Sequence, residues 1–144
     1  MADLLDANVW IPLSAPSHVH RSRARKYWEG EAEGDLLFCR ITSLALLRYL
    51  TSQRIHGSDA LTGKEAWKIL SGWLTKPAVS FIDEPLGIDE WLGRWSDDRA
   101  IRGAAWTDAY LAAFAAAGGY RLVTFDSDFR NYPEVQTLYL GDKA

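Results

Sequence analysis

From Trp106 to Asp128 the chain reads WTDAYLAAFAAAGGYRLVTFDSD, and this stretch limits what the protein can fold into more than any other. Thr107 and Asp108 suit the opening of a helix, where a hydroxyl or carboxylate satisfies free backbone N–H groups and complements the positive end of the helix dipole. The alanine-rich run from Ala109 to Ala117 continues that helix, with Leu111 and Phe114 as its apolar anchors. Gly118 and Gly119 offer the left-handed geometry that ends a helix, and Tyr120, Leu122, Val123 and Phe125 are strand formers. Asp126 and Asp128 follow at once. The pattern predicts helix, stop, strand and acidic turn, with one carboxylate at a helix start and another just past the next strand. In an open α/β protein both reach the carboxyl rim of the sheet, where ligands bind.

The remaining segments repeat the alternation. Asp3 to Asp6 predicts a first strand, with Leu4 and Leu5 as consecutive apolar residues suited to a strand covered on both faces. Asp6 stands at its carboxyl end and Asn8 two residues on. Val9, Trp10, Ile11 and Leu13 predict a short helix or turn stopped by Pro12 and Pro16. Ser17 is the expected cap of the next helix, which carries Val19, Ala24, Tyr27 and Trp28. Leu36 to Ile41 predicts a second strand. Thr42 or Ser43 would cap a helix with Leu44, Leu47 and Leu50 toward the core, and Thr62 with Glu65 forms a capping box for a helix from Ala66 to Leu74. A third strand (Ala78 to Ile82), a helix from Leu86 to about Trp95, a charged turn from Asp97 to Arg99 and a last strand (Val135 to Leu140) complete the set.

Strands alternating with helices predict a parallel sheet with helices on both faces, because crossovers are right-handed. If the first three strands run to one side and the last two to the other, the order is 3-2-1-4-5. Asp6 and Asp126 then lie on neighbouring strand ends, and Asp108 enters from the helix before strand four.

At 144 residues the chain fits one domain, 1–144, large enough for a core without disulfides or structural metal. Its lone cysteine, Cys39, permits no internal disulfide, so a soluble protein of the reducing cytoplasm is expected, with no membrane segment. A formal net charge of −3 argues against holding nucleic acid by bulk electrostatics. Nucleic-acid chemistry would need a local basic patch or bound cations. Arg21, Arg23, Arg25 and Lys26 form the most basic stretch, read either as a solvated helix face or, with Arg48, as a phosphate contact.

Three carboxylates at one rim raise one another's pKa values and call for a hard divalent cation, Mg²⁺ or Mn²⁺. Zinc is poorly supported, since no Cys or His grouping has ligand spacing. Taken singly, each Asp reads as a cap. Asp128 either joins the metal site or caps its turn; Thr107, Thr124 and Asn8 are candidates for orienting the acids. A phosphotransfer receiver is disfavoured because no second acid accompanies Asp6. A haloacid-dehalogenase reading fails because Asn8 stands where a second Asp is needed.

LLDANVWI, ITSLALLRYLT and WTDAYLAAFAAAGGYRLVTFDSD, in this order and spacing, resemble the PIN-domain ribonucleases, especially the VapC-type toxins of bacterial toxin-antitoxin pairs. The resemblance spans nearly the whole chain. It implies a PIN-like three-layer α/β/α fold and Mg²⁺- or Mn²⁺-dependent cleavage of RNA of the tRNA or rRNA class by metal-activated water. It also implies inhibition by a cognate antitoxin, and homodimerisation. By motif position Asp6, Asp108 and Asp126 match three family acids. Ser43 stands where relatives carry Glu or Gln, so a serine that brings no charge replaces a fourth. That departure sustains an alternative, a catalytically weak PIN domain that mainly binds RNA or antitoxin. Trp91, Trp95 and Trp106 are candidates for a dimer or antitoxin surface.

Overall fold

The computed structural model describes residues 1–141; the last three residues of the 1–144 span lie outside the described residues. Five strands form, β1 (Asp3–Leu5), β2 (Leu36–Phe38), β3 (Val79–Phe81), β4 (Arg121–Thr124) and β5 (Thr137–Tyr139). All pair in parallel, in the order β3-β2-β1-β4-β5, which is the order read from the sequence. The helices are α1 (Ala7–Ser14), α2 (Arg21–Gly30), α3 (Arg40–Leu50), α4 (Gln53–His56), α5 (Gly63–Leu74), α6 (Ile88–Asp98) and α7 (Ala105–Gly118).

Consecutive residues of a strand point to opposite faces, and both faces here are covered. Leu4, Leu37 and Leu122 enter a core shared with Ile88, Trp95, Leu111 and Phe114 of α6 and α7. Leu5, Leu36, Phe38 and Val123 enter a second core with residues of α1, α2, α3 and α5, among them Trp10, Tyr27, Leu46 and Leu70. Trp10 stacks flat on Phe38, ring centroids 3.8 Å apart. Gly119 ends α7 at φ 69°, the left-handed conformation that a side chain disfavours, and so aims β4 at the sheet.

Several local expectations are corrected. α1 runs through Pro12: a proline there removes one backbone hydrogen bond, and burial of Val9, Trp10 and Leu13 against the second core keeps the turn helical. Arg21 supports its end, donating to the carbonyls of Pro12 (3.2 Å) and Leu13 (2.6 Å), as a cation at a helix C-terminus does. α2 starts only after His20, so Ser17 is not its cap, and Val19 is 86% exposed. Cys39 precedes α3, and Thr42 acts from inside the first turn, accepting from Cys39 N–H (3.0 Å) and donating to its carbonyl (3.1 Å). In α3 it is Leu46 and Leu50 that are buried, whereas Leu44 is 48% exposed. α6 extends through Asp97 and Asp98. Trp95 is fully buried and donates its indole N–H to Glu134 at 2.8 Å; it is core, and no surface for a partner. Trp106 is exposed, and Trp91 is half-buried under the Arg94 guanidinium.

One network went unread in the sequence. Asp3 and Arg121 are register partners on β1 and β4. Arg121 Nε and Nη2 each donate to the Asp3 carboxylate at 2.8 Å. Tyr27 Oη donates to it at 2.5 Å and Glu33 N–H at 3.1 Å, and Asp3 is fully buried. Burial, then the Asp3 carboxylate, holds the Tyr27 hydroxyl far above its ordinary value, so it remains a donor. This pair locks the amino ends of two central strands and leaves the carboxyl rim open for chemistry.

Candidate active site

Asp6 sits where β1 hands over to α1, in extended backbone (φ −61°, ψ 154°) as the helix N-cap residue. Its N–H continues the sheet by donating to Val123 O (2.9 Å). Its carboxylate therefore lies at the start of α1, beside the end of β4. Burial raises its pKa; hydrogen bonds from Thr124 and from the backbone of Ala7 and Asn8 lower it, and the nearby charge of Asp126 raises it. The net direction is upward.

Asp108 lies in the first turn of α7, and Asp126 follows β4. Asp126 Oδ1 accepts from Asp128 N–H at 2.8 Å, a turn that folds Asp128 back beside it. Asp108, Asp126 and Asp128 each offer a carboxylate oxygen within 4.8 Å of the others. Asp6 is not one of these three, although its charge acts on Asp108. The Asp108 pKa is pushed up to about 6, first by burial and then by the charges of Asp126, Asp6 and Asp128. Among the described residues no ion pair involves any of the four.

Thr124 ties the halves of the site together. Its hydroxyl donates to Asp6 Oδ2 (2.8 Å) and accepts from Asp126 N–H (3.0 Å) and from Asn8 Nδ2 (3.3 Å). Asn8 Oδ1 in turn accepts from Phe125 N–H at 3.1 Å. The start of α1 and the end of β4 are thus cross-linked by hydrogen bonds that fix the Asp6 carboxylate and the Asp126 backbone.

The donor set suits a hard cation. Oxygens bound to Mg²⁺ or Mn²⁺ at roughly 2.0–2.2 Å lie within about 4–5 Å of one another, the spacing that the Asp108, Asp126 and Asp128 oxygens already have. With acids so close and uncompensated, an ordered cation is the economical electrostatic partner.

Other candidates fall elsewhere. Ser43 is buried and donates its hydroxyl to Arg40 O (2.8 Å), so it spends its proton on its own helix. Thr107 is exposed at the third position of α7. Of the basic residues, Arg21 holds the end of α1, Arg23 pairs with Glu31 and Arg25 with Glu29. Lys26 and Arg48 are exposed. His18 and His20 precede α2 and are not among the residues whose ligand atoms cluster at the acids, although both line a groove that reaches Asp126. The sequence marks Thr124 only as a candidate for orienting the acids; its role as the hub joining Asp126 to Asn8 and Asp6 has no signal there, because Asn8 and Asp6 lie 116 and 118 positions away.

The PIN domain family matches residues 4–135. Ribonuclease VapC41 of Mycobacterium tuberculosis is 35% identical over 143 residues, which cover 96% of this chain and 98% of the relative. Ribonuclease VapC44 of the same organism is 32% identical over 133 residues, covering 88% and 87%. Among solved structures, VapBC-1 from nontypeable Haemophilus influenzae shares the fold with a TM-score of 0.69 at 16% identity, covering 97% of this chain and 98% of that one. Mycobacterium tuberculosis VapC20, described as a Sarcin-Ricin loop cleaving toxin, does so with a TM-score of 0.68 at 18% identity, covering 94% and 99%. Sheet order, acidic rim and these likenesses agree: the chain belongs to the PIN-domain family, among the VapC ribonucleases.

Proposed function

We propose that this protein is a metal-dependent endoribonuclease toxin of a type II toxin-antitoxin pair, a single domain whose site is Asp6, Asp108, Asp126 and Asp128. The observation that carries this is the cluster of carboxylates, with Asp6, Asp108 and Asp126 half-buried and Asp128 exposed, that among the described residues makes no ion pair, at the sheet rim of a PIN domain. These residues would hold Mg²⁺ or Mn²⁺, and once bound the ion supplies a water of lowered pKa and neutralises charge on the phosphodiester. The chain itself does the positioning. Asp108, Asp126 and Asp128 converge on one point, and Asp6 approaches from the adjoining strand. Thr124 and Asn8 keep both sides in register. Water oxygen bonds to phosphorus as the P–O3′ bond breaks, leaving a 5′-phosphate and a 3′-hydroxyl. Arg25, Lys26 and Arg48 are exposed cations available to the strand, while Arg21 holds the end of α1 and Arg23 is paired with Glu31. A cognate antitoxin covers the acids, the chain pairs with a second copy, and it works in the cytoplasm; among the described residues no helix is long and apolar enough to cross a membrane.

The rival, a weakly catalytic binding module, rests on Ser43, whose hydroxyl is committed to Arg40 O. Asp128 favours cleavage over that rival, since it contributes the further carboxylate that Ser43 does not. Mapping RNA ends after induced expression, with and without the antitoxin, tests the reading. New 5′-phosphate ends at a few positions, suppressed by antitoxin, are expected; growth arrest without new ends would favour the rival.

Two further results are expected. Thr124→Val keeps the side-chain shape but unties Asp6 from Asp126, and should slow cleavage roughly 10- to 100-fold with an unchanged circular dichroism spectrum. The second concerns pH. Asp108 ionises near 3.8 when unfolded but at about 6 in the metal-free fold. The native state therefore holds an extra proton between those values. The stability this contributes is complete below the unfolded pKa and is lost as pH rises through the folded one. A divalent ion should compensate that loss, so the rise in melting temperature with Mn²⁺ is expected to be larger at about pH 7.5 than at about pH 5. Equal rises would contradict the assignment.

A further inference from the structure

Beside the acids the rim opens into a groove of about 580 Å³ that contains Asn8, His18, His20, Tyr49, Phe125 and Asp126. Its floor is built from rings. His20 stacks on Phe125 with centroids 4.5 Å apart and planes 21° from parallel. His18 lies 5.6 Å from His20 and 6.2 Å from Tyr49, and Tyr49 packs edge-on against His56 at 4.8 Å. The rings are held in place by polar contacts. Phe125 N–H is fixed by Asn8, His18 Nδ1 accepts from His20 N–H at 3.0 Å, and His56 Nε2 lies 2.9 Å from Tyr49 O. Yet His20 is exposed, so this pre-formed π surface faces solvent.

What lies at either end says what it takes. Asp126 belongs both to the groove and to the acid cluster. At the far end His18 and Val19 also border a depression of about 880 Å³ whose lining includes Arg21, the exposed Arg25 and Lys26, and the Glu29 carboxylate that pairs with Arg25. Carboxylates, aromatic rings and basic side chains thus follow one another along the surface. A single-stranded nucleic acid presents the complementary series, with a phosphate at the acids through a cation, an unstacked base on the rings, and further phosphates on the basic side chains. An apolar peptide would match the rings but not the flanking charges.

We propose that this groove is a nucleobase-binding subsite, in which a base adjoining the scissile phosphate stacks on the His20–Phe125 shelf beside Tyr49. The assignment rests on the ribonuclease reading above. It adds the element that selects substrate: the shelf accepts any base face, while the imidazole nitrogen of His18 that is free of His20 discriminates among base edges.

The test uses binding without cleavage. A single-stranded oligoriboadenylate octamer carrying one 2-aminopurine is titrated into the Asp108→Asn protein, and quenching of the fluorescent base reports stacking. Saturable quenching is expected. His20→Ala and Tyr49→Ala, added to that background, should weaken the octamer roughly 10-fold or more, and His20→Phe should restore affinity, because base–ring stacking tolerates exchange of the ring. His20 is exposed and Tyr49 is partly buried against the second core, so an unchanged melting temperature is required of each variant to verify folding. Unquenched fluorescence, or equal affinity in His20→Ala, would overturn the proposal. So would loss of antitoxin binding in His20→Ala with octamer affinity intact, which would assign the groove to the protein partner. Cleavage of RNA by the unsubstituted protein is scored separately, so a failed subsite and a failed ribonuclease reading give different results.

Discussion

Asp108→Asn is expected to reduce metal-dependent RNA cleavage on the order of 10²–10³-fold while raising the melting temperature of the metal-free protein at neutral pH. The two effects share one cause. Asp108 is half-buried next to Asp126, Asp6 and Asp128, and burial with their charges holds its pKa up at about 6. At neutral pH it is ionised against that opposition, which the fold tolerates at a cost in stability. Asparagine keeps the size and removes the charge, so the repulsion falls and with it the reason for a cation to bind. A residue that served only as a helix cap would behave differently, because loss of its charge at the helix start would lower stability. Activity lost together with stability would therefore place Asp108 in the scaffold. Thermal melts in EDTA, paired with single-turnover cleavage in Mn²⁺, separate the two.

The largest stability effect is expected at the opposite edge of the sheet. Arg121→Met should cost about 3–5 kcal/mol and lower the melting temperature by roughly 10–20 °C. The Asp3 carboxylate is fully buried and takes two charge-assisted hydrogen bonds from Arg121. Methionine matches the stem but leaves the carboxylate without a cation, held only by Tyr27 and Glu33 N–H. Adding Asp3→Leu should recover much of the loss, since a buried pair replaced as a unit by apolar residues is often neutral. Cleavage per folded molecule should hardly change, because the pair lies at the amino ends of β1 and β4 and the acids at the carboxyl ends. A single substitution as mild as a surface one would show that water reaches Asp3.

The contrast between these two sites also shows what was legible in the sequence. Asp6, Asp108 and Asp126 stand out in the sequence because each sits at a punctuated boundary, a strand end or a helix start, and such boundaries are local. Alternation of strands and helices puts them on one rim of a parallel sheet only if the first three strands run to one side and the last two to the other, and that is the order the fold has. Asp3 and Arg121 lie at equally visible strand positions, but their pairing depends on register between strands 118 residues apart. No local pattern encodes that. Helix phase failed for a related reason. α3 carries Leu44, Leu46, Leu47 and Leu50, apolar on more than one side, so only the packing of α1 and α5 decides that Leu46 and Leu50 face inward. Trp95 was read as a surface candidate, but its place against Tyr132 and Glu134, from the far end of the chain, makes it core. For Asp128 the sequence offers two readings, metal site or turn cap; the cap is Asp126, whose Oδ1 accepts from Asp128 N–H, and the Asp128 carboxylate lies with the cluster.

On the proposed reading these carboxylates hold a divalent cation that supports RNA cleavage. Single-turnover cleavage of end-labelled RNA, followed as Mn²⁺ is added to EDTA-stripped protein, tests it in one titration when the native chain and Asp6→Asn are run side by side. The native chain should cut in a saturable, metal-dependent way, leaving 5′-phosphate ends, and Asp6→Asn should need far more metal or fail to cut. Cleavage that persists in EDTA, or equal rates for the two proteins, would contradict the account.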